Sequence, residues 1–482
     1  MSTILAVAGA EARHLLRSRV AVTALILVAL LTLVSALTSS AYHADQAALR
    51  ARMQASADHD FEVQPNRHPH RMVHFGHFAM RPASGLAAMD PGVEAFTGNM
   101  IFLEGHRQNS ANFGDARQSS LLVRFGQLSP ALVLQIIAPL LLIFIGAGAV
   151  AGERERGTLR QALLAGGSAG RILAGKALAL GATAAVIAAP AIVLLTWIGI
   201  GGAARSSAIA LAAAGYGAYL LFWVLLVLGV SALAKTARTA LIVLVGVWTF
   251  AVILAPRIAP ELAAALHPLP TRVETDIAIQ SDLRRLGDSH NPDDPFFAAF
   301  KARTLAQYGV DSVEKLPLNY RGLVAMEGEK LTSSLFDRYA AAAFGAMEAQ
   351  AEVMDRFSIV SPAVAVRRVS TAAAETDLRG YRSFLEQAEA YRFALVQHLN
   401  RLQATAVAYA DDGAKSDDAT AEARSRISAD NWRQMPPFAP RRPDATAVTQ
   451  AALPALAALA LWILAALALL GLAAKRLDRS AA

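Results

Sequence analysis

Cysteine is absent from all 482 residues, which excludes a disulfide scaffold, thiolate catalysis and any Cys-ligated metal centre. Charge is sparse as well: Asp, Glu, Lys and Arg make up 17% of the chain, about two thirds of their usual share in a soluble domain. The deficit is concentrated in six apolar runs, at 20–44, 131–151, 177–204, 206–234, 238–256 and 447–474. Each supplies the ~17–25 apolar residues that a membrane-crossing helix needs, the fifth only just. Their centres contain no Asp, Glu, Lys, Arg or His; polar content is limited to residues such as Gln135, Thr183, Thr196, Tyr216, Tyr219, Ser231 and Thr249. Ion-coupled transporters and proton pumps rely on intramembrane ionisable groups. Their lack counts against that class, so energy for any transport is expected to enter elsewhere. Pro139, Pro190 and Pro454 fall inside three of the runs and predict kinks, because neighbouring helices can satisfy the carbonyls that a proline releases.

The charge that remains is unevenly placed. The whole chain carries 45 Lys and Arg against 38 Asp and Glu, a net of +7. The short flanks before run one, between runs two and three, between four and five, and after run six hold 13 of those bases (Arg13, Arg17, Arg19, Arg154, Arg156, Arg160, Arg171, Lys176, Lys235, Arg238, Lys475, Arg476, Arg479) and four acids (Glu11, Glu153, Glu155, Asp478). They sum to +9, leaving −2 for the rest. The positive-inside rule then puts both termini in the cytoplasm, where anionic lipid lies; the basic balance is not evidence for nucleic acid. Run one has a charged start and a small-residue stretch at Ser39-Ser40-Ala41. Its lead-in and length exceed those of a signal peptide, and an uncleaved anchor is expected.

Two large pieces, 45–130 and 257–444, fall on the extracytoplasmic side. The first is rich in Pro and Gly and reads as loops. The second reads as helical: Leu331, Leu335, Tyr339, Ala342 and Ala346 recur at helical spacing, and so do Leu378, Tyr381, Leu385, Ala388, Leu395, Leu399 and Leu402. Two long amphipathic helices are expected, paired as a hairpin and packed on the first piece, with Ile359-Val360-Ser361-Pro362 as the separator. The alternative lays each apolar stripe on the outer membrane interface.

Several motifs imitate chemistry. Gly170-Arg171-Ile172-Leu173-Ala174-Gly175-Lys176 has the outline of a phosphate loop, but Ala177 stands where Ser or Thr must reach magnesium and no strand precedes it. Lys176 is read instead as snorkelling at the membrane interface. Gly166-Gly167-Ser168-Ala169-Gly170 matches a nucleophile elbow, yet lies in a short loop between spans and reads as a turn. Asp411–Asp418 lacks the spacing and closing Glu of a calcium loop and reads as solvated. His68, His70, His74 and His77 fall within ten residues, with Asp58, His59, Asp60, Met72 and Met80 nearby. Neutral imidazoles at this density are candidate zinc or copper ligands, and thioethers would favour Cu(I). Against that stand the irregular backbone around Pro69 and Gly76 and the lack of a clean two-His motif, which favour an ordinary surface segment.

The long connection 152–176 reads as a charged exit from run two, a short amphipathic helix near Thr158, and a glycine turn into run three. Gly152-Glu153-Arg154-Glu155-Arg156-Gly157-Thr158-Leu159, the glycine/arginine turn and Gly175-Lys176 resemble the coupling region of ABC-2-type transporter permeases. The resemblance extends to six spans with both termini inside, to an amphipathic stretch before run one (1–19), and to the subgroup with large insertions after spans one and five. Phe75–Pro82, Leu103–Asn109 and Arg124-Phe125-Gly126 also look like that subgroup. It implies an all-α polytopic membrane protein: six transmembrane helices, a mainly helical extracytoplasmic domain built from two insertions, and a short cytoplasmic tail at 475–482. It further implies a subunit without a nucleotide site of its own in a bacterial inner membrane. ATP and Mg would be bound by a separate ABC-type ATPase, seated on Glu153, Arg154, Glu155, Arg156, Gly157, Thr158, Leu159 and Arg160. The other partners implied are a second permease chain, identical or related, and membrane lipid. Two other readings stand beside export of a lipid-like or amphipathic substrate: an ATP-driven lever on a periplasmic partner, and a metal-handling protein built on the histidine segment.

Overall fold

The computed structural model describes residues 3–109, 111, 127–164, 167–288, 291, 293–413 and 418–481. Arg124-Phe125-Gly126, Gly166 and the middle of the 411–418 loop lie outside them. The protein is an all-α polytopic membrane protein. Its six long apolar helices are α2 (Arg19–Glu62), α4 (Pro130–Glu155), α6 (Ala169–Ile200), α7 (Ser206–Leu233), α8 (Ala237–Leu266) and α14 (Ala445–Ala481). A first helix, α1 (Thr3–Arg17), packs across α6. Small polar residues start these helices by accepting backbone N–H bonds: Ser18 from Ala21, Ser129 from Leu132, Ser168 from Arg171 and Thr236 from Thr239.

Helices α4, α6 and α7 form the enclosed centre of the bundle, whereas α2, α8 and α14 turn most of their apolar surface outward. The expected proline effects are visible as specific repairs. Pro139 lacks the N–H that would reach back to the Gln135 carbonyl; that oxygen accepts instead from the Tyr219 hydroxyl at 2.6 Å, beside a π-helical turn at Val133–Ile137. A second π turn, Thr249–Leu254, precedes Pro256 in α8, and there the Ala251 carbonyl accepts from the Ser361 hydroxyl at 2.5 Å.

Helix α2 is 44 residues long, about 66 Å, and runs without a break from the bundle to beyond it. It leads to α3 (Pro69–Phe75) and to a two-stranded antiparallel ribbon, β1 (His77–Met80) with β2 (Met100–Leu103), in the register His77 opposite Leu103. The second insertion supplies α9 (Arg272–Leu286), α10 (Pro295–Tyr308), α11 (Tyr320–Arg356), α12 (Pro362–Ala374) and α13 (Leu378–Ala406). Helices α11 and α13 pair along their lengths, as the periodicity predicts. They approach so closely at Gly322 that a Cβ there would lie 2.3 Å from the Ala404 nitrogen. The apolar stripe of α13 is buried in protein: Leu395, Val396 and Leu399 join Phe61, Met72, Val73 and Trp432 in one core, and Phe384 and Ala388 join Ala79, Ile101 and Leu103 in another. The two insertions are therefore one domain, and the interfacial alternative for α13 is set aside.

One part of the second insertion departs from the expectation that all of 257–444 lies outside. The end of α11, the turn at 357–361 and α12 descend between the spans. Trp462, near the middle of α14, donates to the Ser358 carbonyl at 3.0 Å, and Ala251 sits midway along α8. Helix α12 packs on α7 and α14 and is buried along almost its whole length, and Gly215 of α7 makes room for Val369. Small residues allow this approach. The run is too short, and too interrupted by Arg367 and Arg368, to register as a membrane segment.

Candidate functional site

The two termini and the 152–176 connection share one end of the bundle. Helix α4 breaks at 147–150, and Ser231 of α7 fills the break: its hydroxyl accepts from Val150 and Ala151 nitrogens at 3.0 and 3.2 Å and donates to the Ala147 carbonyl at 2.7 Å. The chain then leaves the bundle through Gly152–Arg156, turns at Gly157 with φ +76° and forms α5 (Thr158–Leu164). Only a residue without Cβ takes that turn at low cost.

The eight residues expected to seat a partner divide by direction. Arg154 reaches inward to the last carbonyls of α7, those of Ala232 (2.5 Å) and Ala234, a cation placed where the helix dipole is negative. Glu153 also turns inward, to Lys176 Nζ at 2.8 Å. Leu159 is buried with Val150, Ala169, Leu173, Ala232, Ala473 and Leu477. Glu155, Arg156, Gly157, Thr158 and Arg160 face outward. Five residues of contact surface are thus presented around one turn, while Glu153, Arg154 and Leu159 hold the stub in place.

Lys176 does not snorkel. It is 2% exposed and lies between Glu153 and Glu11, the latter at 2.5 Å. Glu11 comes from α1, so this buried cation ties the amphipathic helix, the stub and α6 together. A cleft of about 750 Å³ begins at this cluster and runs between α1 and α2 on one side and α4 on the other, past Phe144, Gly148 and Gly152. Gly148 and Gly152 line it; they do not mediate a close crossing.

Toward the opposite end lies a smaller cavity of about 220 Å³, whose lining includes Asp90, Gln135 and Arg367. Gln135 donates to Tyr216 at 3.0 Å, and Tyr216 and Ser370 share a 2.8 Å bond. The apolar runs show Gln135 and Tyr216, but their partners come from insertions read as external.

The histidine segment is split. His68 caps α3, accepting from His70 N, and its Nε2 meets Asp412 at 2.9 Å. Burial alone would raise the Asp412 carboxyl, but hydrogen bonds from His68, Gln403 and Asn319 bring it down to about 2. His77 pairs with Asp58 at 3.0 Å, and its burial lowers its pKa although Asp58 works the other way. These two therefore leave the expected ligand set. His70 and His74 stay together, with Nε2 atoms 3.2 Å apart, and His106 joins them. Burial, then the neighbouring rings, lowers His70 to about 4. Met72 and Met80 are buried in the packing. Asp411 pairs with Arg424, and Asp418 caps a short helix at Ala419–Arg424.

In comparison with known families, residues 272–441 fit one described as a domain of unknown function (DUF3526). This stretch covers α9 to α13 and the segment that follows, including the part that enters the bundle. No curated protein matches the chain, and no solved structure does.

Proposed function

We propose that this chain is the membrane subunit of an ATP-driven ABC-2-type transporter, with ATP hydrolysed by a separate subunit. The observation that carries the reading is α5: a short helix held rigidly by Leu159, Arg154 and Glu153, with Glu155, Arg156, Thr158 and Arg160 turned outward. The net +9 on the flanks at that end favours, by the positive-inside rule, a cytoplasmic position for it in a bacterial inner membrane, where ATP is available. Closure of the ATPase subunits would push on α5, and the ion pairs at Lys176 would pass the displacement to α1 and α6. The outward apolar faces of α2 and α8 and the cleft beside α4 favour a second permease chain and a lipid-like or amphipathic substrate moved outward.

The experiment is gentle extraction of the tagged chain from its own membrane and identification of what co-purifies. A stoichiometric P-loop ATPase is expected. A chain that emerges alone and leaves every ATPase of that membrane unstimulated would defeat the proposal.

A second reading keeps the ATPase and removes the cargo. It is favoured by the unbroken 44-residue α2 and by α11, which runs from the outer domain to the bundle's middle; both are stiff rods suited to a lever on a periplasmic partner. Silent transport assays alongside an ATP-dependent change in hydrogen exchange of α13 would select this reading.

A further inference from the structure

We propose that His70, His74 and His106 form a binding site for a divalent transition-metal ion of the zinc class. The site is independent of the permease reading. The ligating nitrogens of the three rings all lie within 4.8 Å of one another. The 3.2 Å between His70 and His74 Nε2 atoms is close to the edge of a tetrahedron around zinc, about 3.3 Å for Zn–N bonds of 2.0–2.1 Å. Two rings come from positions i and i+4 of α3, a spacing that puts both on one face of a helix. The third comes from far along the chain. The β1–β2 register brings residue 103 back beside residue 77, and Gly105 N bonds to the Val73 carbonyl at 3.3 Å. His106 then sits directly alongside α3.

His106 is held in a manner that a bystander would not need. Its φ is +68°, a conformation that costs an L-residue roughly 1 kcal/mol or more. Glu329, fully buried, fixes it there: Glu329 Oε2 accepts from the His106 nitrogen at 3.0 Å and lies 3.9 Å from Nδ1. Arg392 at 2.6 Å and Ser333 at 3.1 Å in turn hold the other Glu329 oxygen. At 3.9 Å the carboxylate acts on Nδ1 through charge alone, and its hydrogen bond goes to the backbone that presents the ring. His68 and His77, committed to Asp412 and Asp58, are outside the site. Three imidazoles leave a fourth position open to the solvent-facing side of His74. Imidazole donors suit zinc, nickel and copper(II) rather than calcium or magnesium. Occupancy would clamp α3 of the first insertion to α11 of the second through Glu329.

The test titrates Zn(II) into the full-length, chelator-stripped chain in detergent by calorimetry, with Co(II) absorption as a second readout of coordination. One ion per chain is expected, with tetrahedral-type Co(II) bands. His74→Ala, at an exposed position that leaves the fold intact, should weaken binding by about 100-fold or more, beyond the 10–100-fold that loss of an outer-shell partner brings. His59→Ala should change nothing. Zn(II) binding equal in His74→Ala and the parent chain, or no saturable binding in the parent, would overturn the proposal and leave a His–His hydrogen bond.

Discussion

The stub at the terminus-bearing end and the tip buried in the middle of the bundle are both short connections pressed against membrane helices, but different chemistry holds them. The stub uses charge: Lys176 between Glu11 and Glu153, and Arg154 on the carbonyls that end α7. The tip uses neutral donors, the Ser361 hydroxyl and the Trp462 indole, on backbone carbonyls. A charge cluster near a membrane surface is tolerable because water is close and the ions are paired. At mid-bundle the affordable bond is a neutral one to a carbonyl that a proline or a turn has left without its helical partner. Where ion pairs do occur on the descending hairpin, as at Arg368 and Asp355 (2.5 and 3.1 Å), they lie outward of the tip.

The largest way to break this contrast is at Lys176. Lys176→Met leaves Glu11 and Glu153 facing each other without their cation and should cost about 3–5 kcal/mol, read as a loss of thermal stability in detergent. Adding Glu11→Gln and Glu153→Gln to the same chain should restore most of it. If the triple variant is no better than the single one, burial of the lysine stem rather than its charge is what matters. At the tip, Ser361→Ala orphans the Ala251 carbonyl and should cost about 1–2 kcal/mol. Hydrogen exchange should then quicken in 357–374 and not in α5. The third change sharpens the division within the stub: Glu155→Lys with Arg160→Glu alters the exposed face only. Stability should move by no more than about 0.5 kcal/mol, while stimulation of the proposed partner ATPase is lost. The reversal Glu153→Lys, by contrast, should fail at the level of folding, since it sets a second cation against Lys176.

Much of this was legible in the sequence. The spans appear as uncharged runs, and the α11–α13 pairing follows from periodicity at Leu395 and Leu399. The stub's boundaries follow from Gly157 and from the charges on either side of it. What escaped detection depends on distance along the chain. Lys176 looked like an interfacial lysine because its second carboxylate, Glu11, is 165 residues away. His106 looked unrelated to His70 and His74 because a ribbon had to fold before it could reach them. Helix α12 was hidden by its own arginines, which lie on the face turned from α7 and α14 while Val366, Val369 and Ala373 fill the contact. Local composition reports which segments can cross lipid as single helices; it does not report short pieces that enter only because a protein wall receives them.

The smallest predicted effect concerns the residue that ends α12. Glu375 takes the left-handed conformation, φ +57°, and is partly buried where the descending hairpin returns to the outer domain. Burial raises its pKa above the ordinary 4.5, and Arg442 and Arg205 offset this only in part. The folded state therefore binds its proton more tightly than the unfolded chain does. Its contribution is favourable in acid and is lost as pH rises from about 4.5 through the raised value. Replacing the carboxylate by the neutral amide removes that loss. Glu375→Gln should be slightly more stable than the parent at pH 7 and indistinguishable from it at pH 4, measured as thermal midpoints in the same detergent. A stabilisation that persists unchanged at pH 4 would mean that the amide gains a hydrogen bond of its own. A destabilisation at pH 7 would mean that the guanidinium of Arg205, 4.0 Å away, draws more from the charged carboxylate than burial takes from it. In that case the return of the hairpin, like the stub, is held by charge.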